Sequence, residues 1–130
     1  MAGPRGIGIG IDLVSVERIE KILNRWGDRF LRRIYTDQEI TYCLAAGHPA
    51  RSFAARFAAK EALIKAISRW SGAGIKLRNI EVVIGDAGVP GLKLSGTADV
   101  ALGTLHAYLS ISHEKEFAVA VVVTLPEVKT

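Results

Sequence analysis

Apolar and polar positions change their period several times along the chain, and each change marks an element. From Gly6 to Val14 glycine alternates with isoleucine before Asp12, Leu13 and Val14, which predicts a buried strand ending near Asp12. From Ser15 the apolar positions become Val16, Ile19, Ile22, Leu23 and Trp26, the spacing of an amphipathic helix that Ser15 is placed to cap. Thr36-Asp37-Gln38-Glu39 reads as a capping box ahead of Ile40, Cys43 and Leu44, with Gly47 and Pro49 expected to close this short second helix. A third helix is predicted over about Arg51 to Trp70, stopped by Ser71-Gly72-Ala73-Gly74.

Beyond that point strand patterns take over. Asn79 to Ile84 is followed by a turn across Asp86 to Gly91, then by Leu92 to Leu94 and a short helix from Thr97 that Gly103 stops. In Leu105 to Ser112, Leu105, Ala107, Leu109 and Ile111 share one face, while His106, Tyr108, Ser110 and Ser112 share the other. The polar turn from His113 to Glu116 leads into an apolar strand from Phe117 to Leu125. No repeat, linker or low-complexity segment interrupts this order. It predicts one α+β domain over residues 1–130, a mainly antiparallel sheet packed with helices, with residues 1–6 as a flexible amino terminus.

Composition narrows the picture. With 49% hydrophobic residues among 130, the chain can bury one core without metal or disulfide. The single cysteine, Cys43, excludes an internal disulfide and a paired zinc site; it is expected as a core thiol in a reducing compartment, the cytoplasm. No apolar run approaches the roughly 20 residues that span a bilayer. A formal charge of +4 favours anionic partners: nucleic acids, phosphorylated small molecules or acidic proteins. The early glycines are not a dinucleotide fingerprint, since Gly6, Gly8 and Gly10 recur at every second residue and Leu13 stands where the third glycine belongs. Bare glycines in a strand instead let another backbone or a ligand come close.

Candidate chemistry centres on two carboxylates. Glu61 has Phe57, Ala58 and Ile64 as helical neighbours, so it sits at the edge of an apolar face; it is either paired with Lys65 one turn on or a metal ligand. Asp12 ends an apolar strand and serves either as a helix cap or as a second ligand. The same helix carries Arg56, Lys60 and Lys65, cations suited to a pyrophosphate or to a solvated face. His113 opens a turn, as a hydrogen-bonded turn residue or a phosphate contact. Arg18, Lys21, Arg25 and Arg29 follow at helical spacing and form a basic stripe fit for an acidic helix, a nucleic-acid backbone or solvent.

Gly8-Ile9-Gly10-Ile11-Asp12, Arg56-Phe57-Ala58-Ala59-Lys60-Glu61-Ala62 with Lys65, and Ile111-Ser112-His113 together resemble the holo-acyl-carrier-protein synthase family, the short bacterial phosphopantetheinyl transferases. The likeness runs from about Ile7 to Val123. It implies an α+β phosphopantetheinyl transferase fold, a trimer with sites between subunits, and transfer of phosphopantetheine from coenzyme A to apo acyl carrier protein in fatty-acid synthesis. It further implies that Asp12 and Glu61 bind Mg2+, with Mn2+ as an alternative, and act with Lys65 in catalysis. Lys65, Lys60, Arg56 and His113 would contact coenzyme A, and Arg18, Lys21, Arg25 and Arg29 would receive the carrier protein; nucleic acid and membrane have no part. Val89 stands where relatives often carry lysine, so no ligand contact is expected from that turn. The competing reading, a small basic nucleic-acid-binding module, predicts salt-sensitive binding independent of Asp12 and Glu61.

Overall fold

The computed structural model describes residues 6–71 and 74–127. Residues 1–5, which make up most of the expected flexible terminus, lie outside the described residues, as does the middle of the expected stop at residues 71–74.

Strand β1 (Gly8–Ser15) runs directly into helix α1 (Val16–Trp26). Ser15 makes the switch: its Oγ accepts the Arg18 N–H at 3.2 Å, satisfying one of the donors that a helix start leaves open. Gly27 ends α1 with φ +51°, and its N–H bonds back to the Leu23 carbonyl at 2.9 Å. A separate helix α2 (Asp28–Ile34) follows at once. The sequence reading did not resolve it, because only one glycine divides two segments of similar helical pattern. Helix α3 (Asp37–Leu44) carries the predicted capping box in full: Thr36 Oγ1 accepts the Glu39 N–H at 3.2 Å, and Glu39 Oε1 accepts the Thr36 N–H at 3.0 Å. Pro49 opens α4 (Pro49–Ile67) instead of closing α3, since its fixed φ and missing N–H suit a first helical position.

Five elements complete the chain: β2 (Ile80–Ile84), β3 (Pro90–Leu94), α5 (Gly96–Leu102), β4 (His106–His113) and β5 (Phe117–Leu125). All pairings are antiparallel; β1, β5 and β4 form one sheet in that order, and β2 pairs with β3 in another. The α+β expectation holds.

Helix α4 lies against the inner face of the larger sheet and supplies the centre of the core, with Phe53, Leu63 and Ile67 fully buried. Truncating a side chain such as Phe53 there costs about 3–5 kcal/mol. The helix comes unusually near β1, because Ala62 and Ala66 meet Gly10 and Gly8. A methyl built on Gly10 would stand 2.7 Å from the Ala66 nitrogen and 2.9 Å from the Ala62 carbonyl carbon. The strand glycines therefore admit a helix backbone. Tyr35 closes the far end of this core, its hydroxyl donating to the Phe53 carbonyl at 2.8 Å, and burial pushes the phenol well above its usual range. Cys43 is the expected core thiol, pushed up to about 12 by burial.

The outer face of the same sheet is different. Ile9, Ile11 and Leu13 are 69%, 58% and 64% exposed, beside Val123, Val121 and Val119 of β5, with Tyr108 of β4 in the same row as Ile9. Strand parity produces this split: Gly8, Gly10, Asp12 and Val14 face the helix, while the intervening residues face away. Among the described residues no helix is long and apolar enough to cross a membrane.

Candidate active site

Asp12 takes the third inward position of β1, after the two glycines that bring α4 close, and its side chain is 17% exposed. Lys65 reaches across from α4: its ammonium donates to Asp12 Oδ1 at 2.8 Å and to the Ile11 carbonyl at 3.0 Å. Of the alternatives open for Lys65, this cross-element pairing with Asp12 prevails over the local one with Glu61. Glu61 and Asp12 open onto one cleft of about 520 Å³, whose walls include Ser15, Arg18, Phe30 and Phe57.

The electrostatics of this cleft are unbalanced. Burial raises the Glu61 carboxyl above its usual range, the Asp12 carboxylate raises it further, and Lys65 only partly offsets them. Two oxygen donors strained by mutual repulsion suit a hard divalent cation, which would take both charges at once. Among the described residues no third acidic, histidine or cysteine side chain joins them, so the remaining coordination positions would fall to water and phosphate oxygens.

The other candidates divide. Arg18 is on the cleft wall. Lys21 pairs with Glu17 at 3.1 Å on the exposed side of α1, and Arg25 covers the Trp26 ring with its guanidinium 5.2 Å from the centroid. Arg29 corrects the expectation of a single stripe: Gly27 turns the chain, so Arg29 belongs to α2, where it lines an open hollow with Trp26, Phe30 and Arg33.

Lys60 is a second correction. Its ammonium has no exposure and is held by Glu39 Oε1 at 2.7 Å, by the Leu77 carbonyl at 3.1 Å and by the Ile80 carbonyl. It cannot reach a ligand in the cleft, because successive helix residues point about 100° apart and Lys60 turns into the core where Glu61 turns out. Arg56, five residues before Glu61, points about 140° away from it. Its side chain is buried at 5% exposure, with the guanidinium 4.4 Å from the Tyr42 ring centroid and Nε without a hydrogen-bond partner among the described residues. His113 is exposed at the end of β4, opposite Ala118, which in turn faces Val14; at strand spacing it stands about 10 Å from β1. Within one chain the structure thus joins Asp12, Glu61, Lys65 and Arg18, and leaves Arg56 and His113 apart.

Two residues were not singled out from the sequence. Glu39 reads as an ordinary capping-box residue, and nothing local announces its partner Lys60. Trp26 reads as part of the buried face of α1, yet it is 48% exposed; the glycine directly after it was the available signal.

A family model described as the 4'-phosphopantetheinyl transferase superfamily matches residues 8–122. The chain belongs to this superfamily. The holo-[acyl-carrier-protein] synthase of Koribacter versatilis is 46% identical over 120 residues, covering 90% of this chain and 96% of the relative. The crystal structure of a Bacillus anthracis holo-(acyl-carrier-protein) synthase in complex with CoA (3',5'-ADP) matches with TM-score 0.76 at 38% identity, over 92% of this chain and 96% of that one. The Helicobacter pylori holo-[acyl-carrier-protein] synthase in complex with coenzyme A matches with TM-score 0.76 at 36% identity, over 89% and 98%. The family and the transferase fold inferred from three short motifs are therefore met across nearly the whole chain.

Proposed function

We propose that this protein transfers the 4'-phosphopantetheine arm of coenzyme A to a serine of an apo acyl carrier protein, yielding holo carrier protein and 3',5'-ADP. The observation that carries the reading is the opening of Asp12 and Glu61 onto one cleft, with Lys65 bonded to Asp12, in a chain of this superfamily. Asp12 and Glu61 would hold Mg2+ or Mn2+, which when bound supplies positive charge to the pyrophosphate oxygens. The serine oxygen forms a bond to the phosphorus that bears pantetheine, and the bond from that phosphorus to the bridging oxygen breaks, releasing 3',5'-ADP. Lys65, already aimed at Asp12, neutralises phosphoryl oxygens as charge grows on the leaving group. Glu61, directly or through a water, takes the serine proton.

Arg18 on the cleft wall, with Lys21 and Arg25 on α1 and Arg29 on α2, would receive an acidic carrier helix, and Trp26 offers an apolar contact among them. The exposed apolar face of β1 and β5 supports a homotrimer in which a neighbouring subunit brings Arg56 and His113 to the adenosine phosphates. We place this single-domain enzyme in the cytoplasm, in fatty-acid synthesis, with no part for nucleic acid or membrane.

The test is mass spectrometry of an apo carrier protein incubated with this protein, coenzyme A and Mg2+. A gain of one phosphopantetheine, lost with chelator and in Asp12→Ala, is the expected result. An undiminished gain in both controls would overturn the metal role. Light scattering tests the assembly: a fully active monomer would refute sites shared between subunits.

A further inference from the structure

The cleft carboxylate Glu61 sits between two fixed points of α4. On one side Ala62, about 100° around the helix, abuts Gly10 so closely that no side chain fits between strand and helix. On the other side Lys60, about 100° the opposite way, is tied to three acceptors: Glu39 of α3, the Leu77 carbonyl, and the Ile80 carbonyl at the start of β2. Glu39 is itself fixed by two N–H groups, Thr36 at the cap of its own helix at 3.0 Å on Oε1 and Val82 of β2 at 3.0 Å on Oε2. None of these groups lines the cleft, and the Glu39 and Lys60 side chains have no exposure.

We propose that the buried Glu39–Lys60 pair is a positioning device for the metal-binding carboxylate, fixing the rotation and depth of α4 so that Glu61 meets Asp12 at ligand distance. A buried ion pair is a weak source of net stability compared with an apolar pair of the same volume, so its presence in an alanine-rich helix calls for another role. Directional bonds supply one. An apolar contact tolerates a small rotation, whereas an ammonium shared by three oxygens does not. The Gly8 and Gly10 contacts set how near the helix lies to β1, and the Glu39–Lys60 anchor adds a directional constraint on its rotation from the opposite side. Residues that orient metal ligands from behind commonly change metal affinity about 10- to 100-fold when replaced.

The inference rests on the metal role proposed for Asp12 and Glu61. The experiment counts bound Mn2+ by electron paramagnetic resonance, in the presence of coenzyme A, for the parent, Lys60→Met, Glu39→Gln and Asp12→Ala, each assayed at a temperature where circular dichroism shows it folded. Lys60→Met is expected to weaken Mn2+ binding about tenfold or more. Its turnover at low Mn2+ should fall and recover as Mn2+ is raised, with the KM for carrier protein unchanged. Parent-like Mn2+ affinity in folded Lys60→Met would overturn the proposal, because a merely structural pair alters melting temperature and not metal affinity. Should Lys60→Met fail to fold, Glu39→Gln, which keeps an oxygen facing Lys60, carries the same two outcomes. Full Mn2+ binding by Asp12→Ala would instead refute the metal site itself, which separates the two failures.

Discussion

Gly10→Ala tests the closest approach of a helix to a strand glycine among the described residues. The new methyl would overlap the Ala62 carbonyl oxygen and stand 2.7 Å from the Ala66 nitrogen, both backbone atoms that no rotamer change can move. Carbon contacts are comfortable at about 3.5 Å or more, so α4 must retreat from β1 by about 1 Å. Overpacking of this kind costs typically 1–3 kcal/mol, and the upper end applies here because backbone meets backbone. At roughly 3–5 °C per kcal/mol for a domain of this size, the melting temperature should fall by about 10 °C. Activity should fall further than stability. Ala62 is the neighbour of Glu61, so the same retreat opens the Asp12–Lys65 contact of 2.8 Å and parts the two carboxylates. A misplacement near 1 Å at reacting groups costs about 100-fold in turnover. The assays are a thermal melt and carrier-protein modification at saturating coenzyme A, with Gly47→Ala as control, since nothing lies within 4 Å of a methyl there. Gly10→Ala that melts within about 2 °C of the parent and turns over within about threefold would refute the helix-on-strand argument.

Three further expectations follow from local features. The Glu61 carboxyl binds its proton more tightly in the folded state than in the unfolded one, so the folded chain holds more protons between the usual carboxylate range and the raised value, and metal-free stability falls as pH rises through that window. Glu61→Gln should therefore melt above the parent in chelator, by a margin that widens as pH rises above the usual carboxylate range, while losing metal-dependent turnover; a pH-independent margin would contradict the coupling. Trp26→Ala should raise the KM for carrier protein roughly 10- to 30-fold and leave coenzyme A saturation unchanged, and equal carrier affinity would remove Trp26 from the docking surface. Ala87 holds φ +59° in an exposed turn, so Ala87→Gly should add about 1 kcal/mol of stability, read as a higher denaturant midpoint; an unchanged midpoint would place the strain elsewhere.

What could be read from the sequence was whatever a few adjacent residues encode. Ser15 as a cap, the Thr36–Glu39 box and the alternation of β4 are each complete within a handful of positions, and each stands as expected. Pairings across long separations were not readable. Lys65 had a local partner one turn away, yet it bonds Asp12, 53 residues earlier, because the two strand glycines bring α4 near enough for that reach. Lys60 looked like a third cation for the cleft, and only the tertiary position of Glu39 reveals a buried anchor. Gly27 shows the opposite error: its positive φ divides a basic stripe that the spacing alone had made continuous.

The period-two geometry of β1 ties the proposed assembly and the proposed chemistry to one strand. Inward positions bear Gly8, Gly10 and Asp12, and so fix the helix and the carboxylate pair; the intervening positions bear Ile9, Ile11 and Leu13, and so build the exposed apolar face. A register slip by one residue would bury the isoleucines against α4, where no space exists, and would expose Asp12 on the apolar side. The bond from Lys65 to the Ile11 backbone carbonyl reads register as well, because its partner Asp12 Oδ1 is the adjacent residue. A neighbour docked on the outer face would therefore press on the strand whose inner side holds the first carboxylate. The residues missing from a single-chain site, Arg56 and His113, are those for which such a neighbour is invoked.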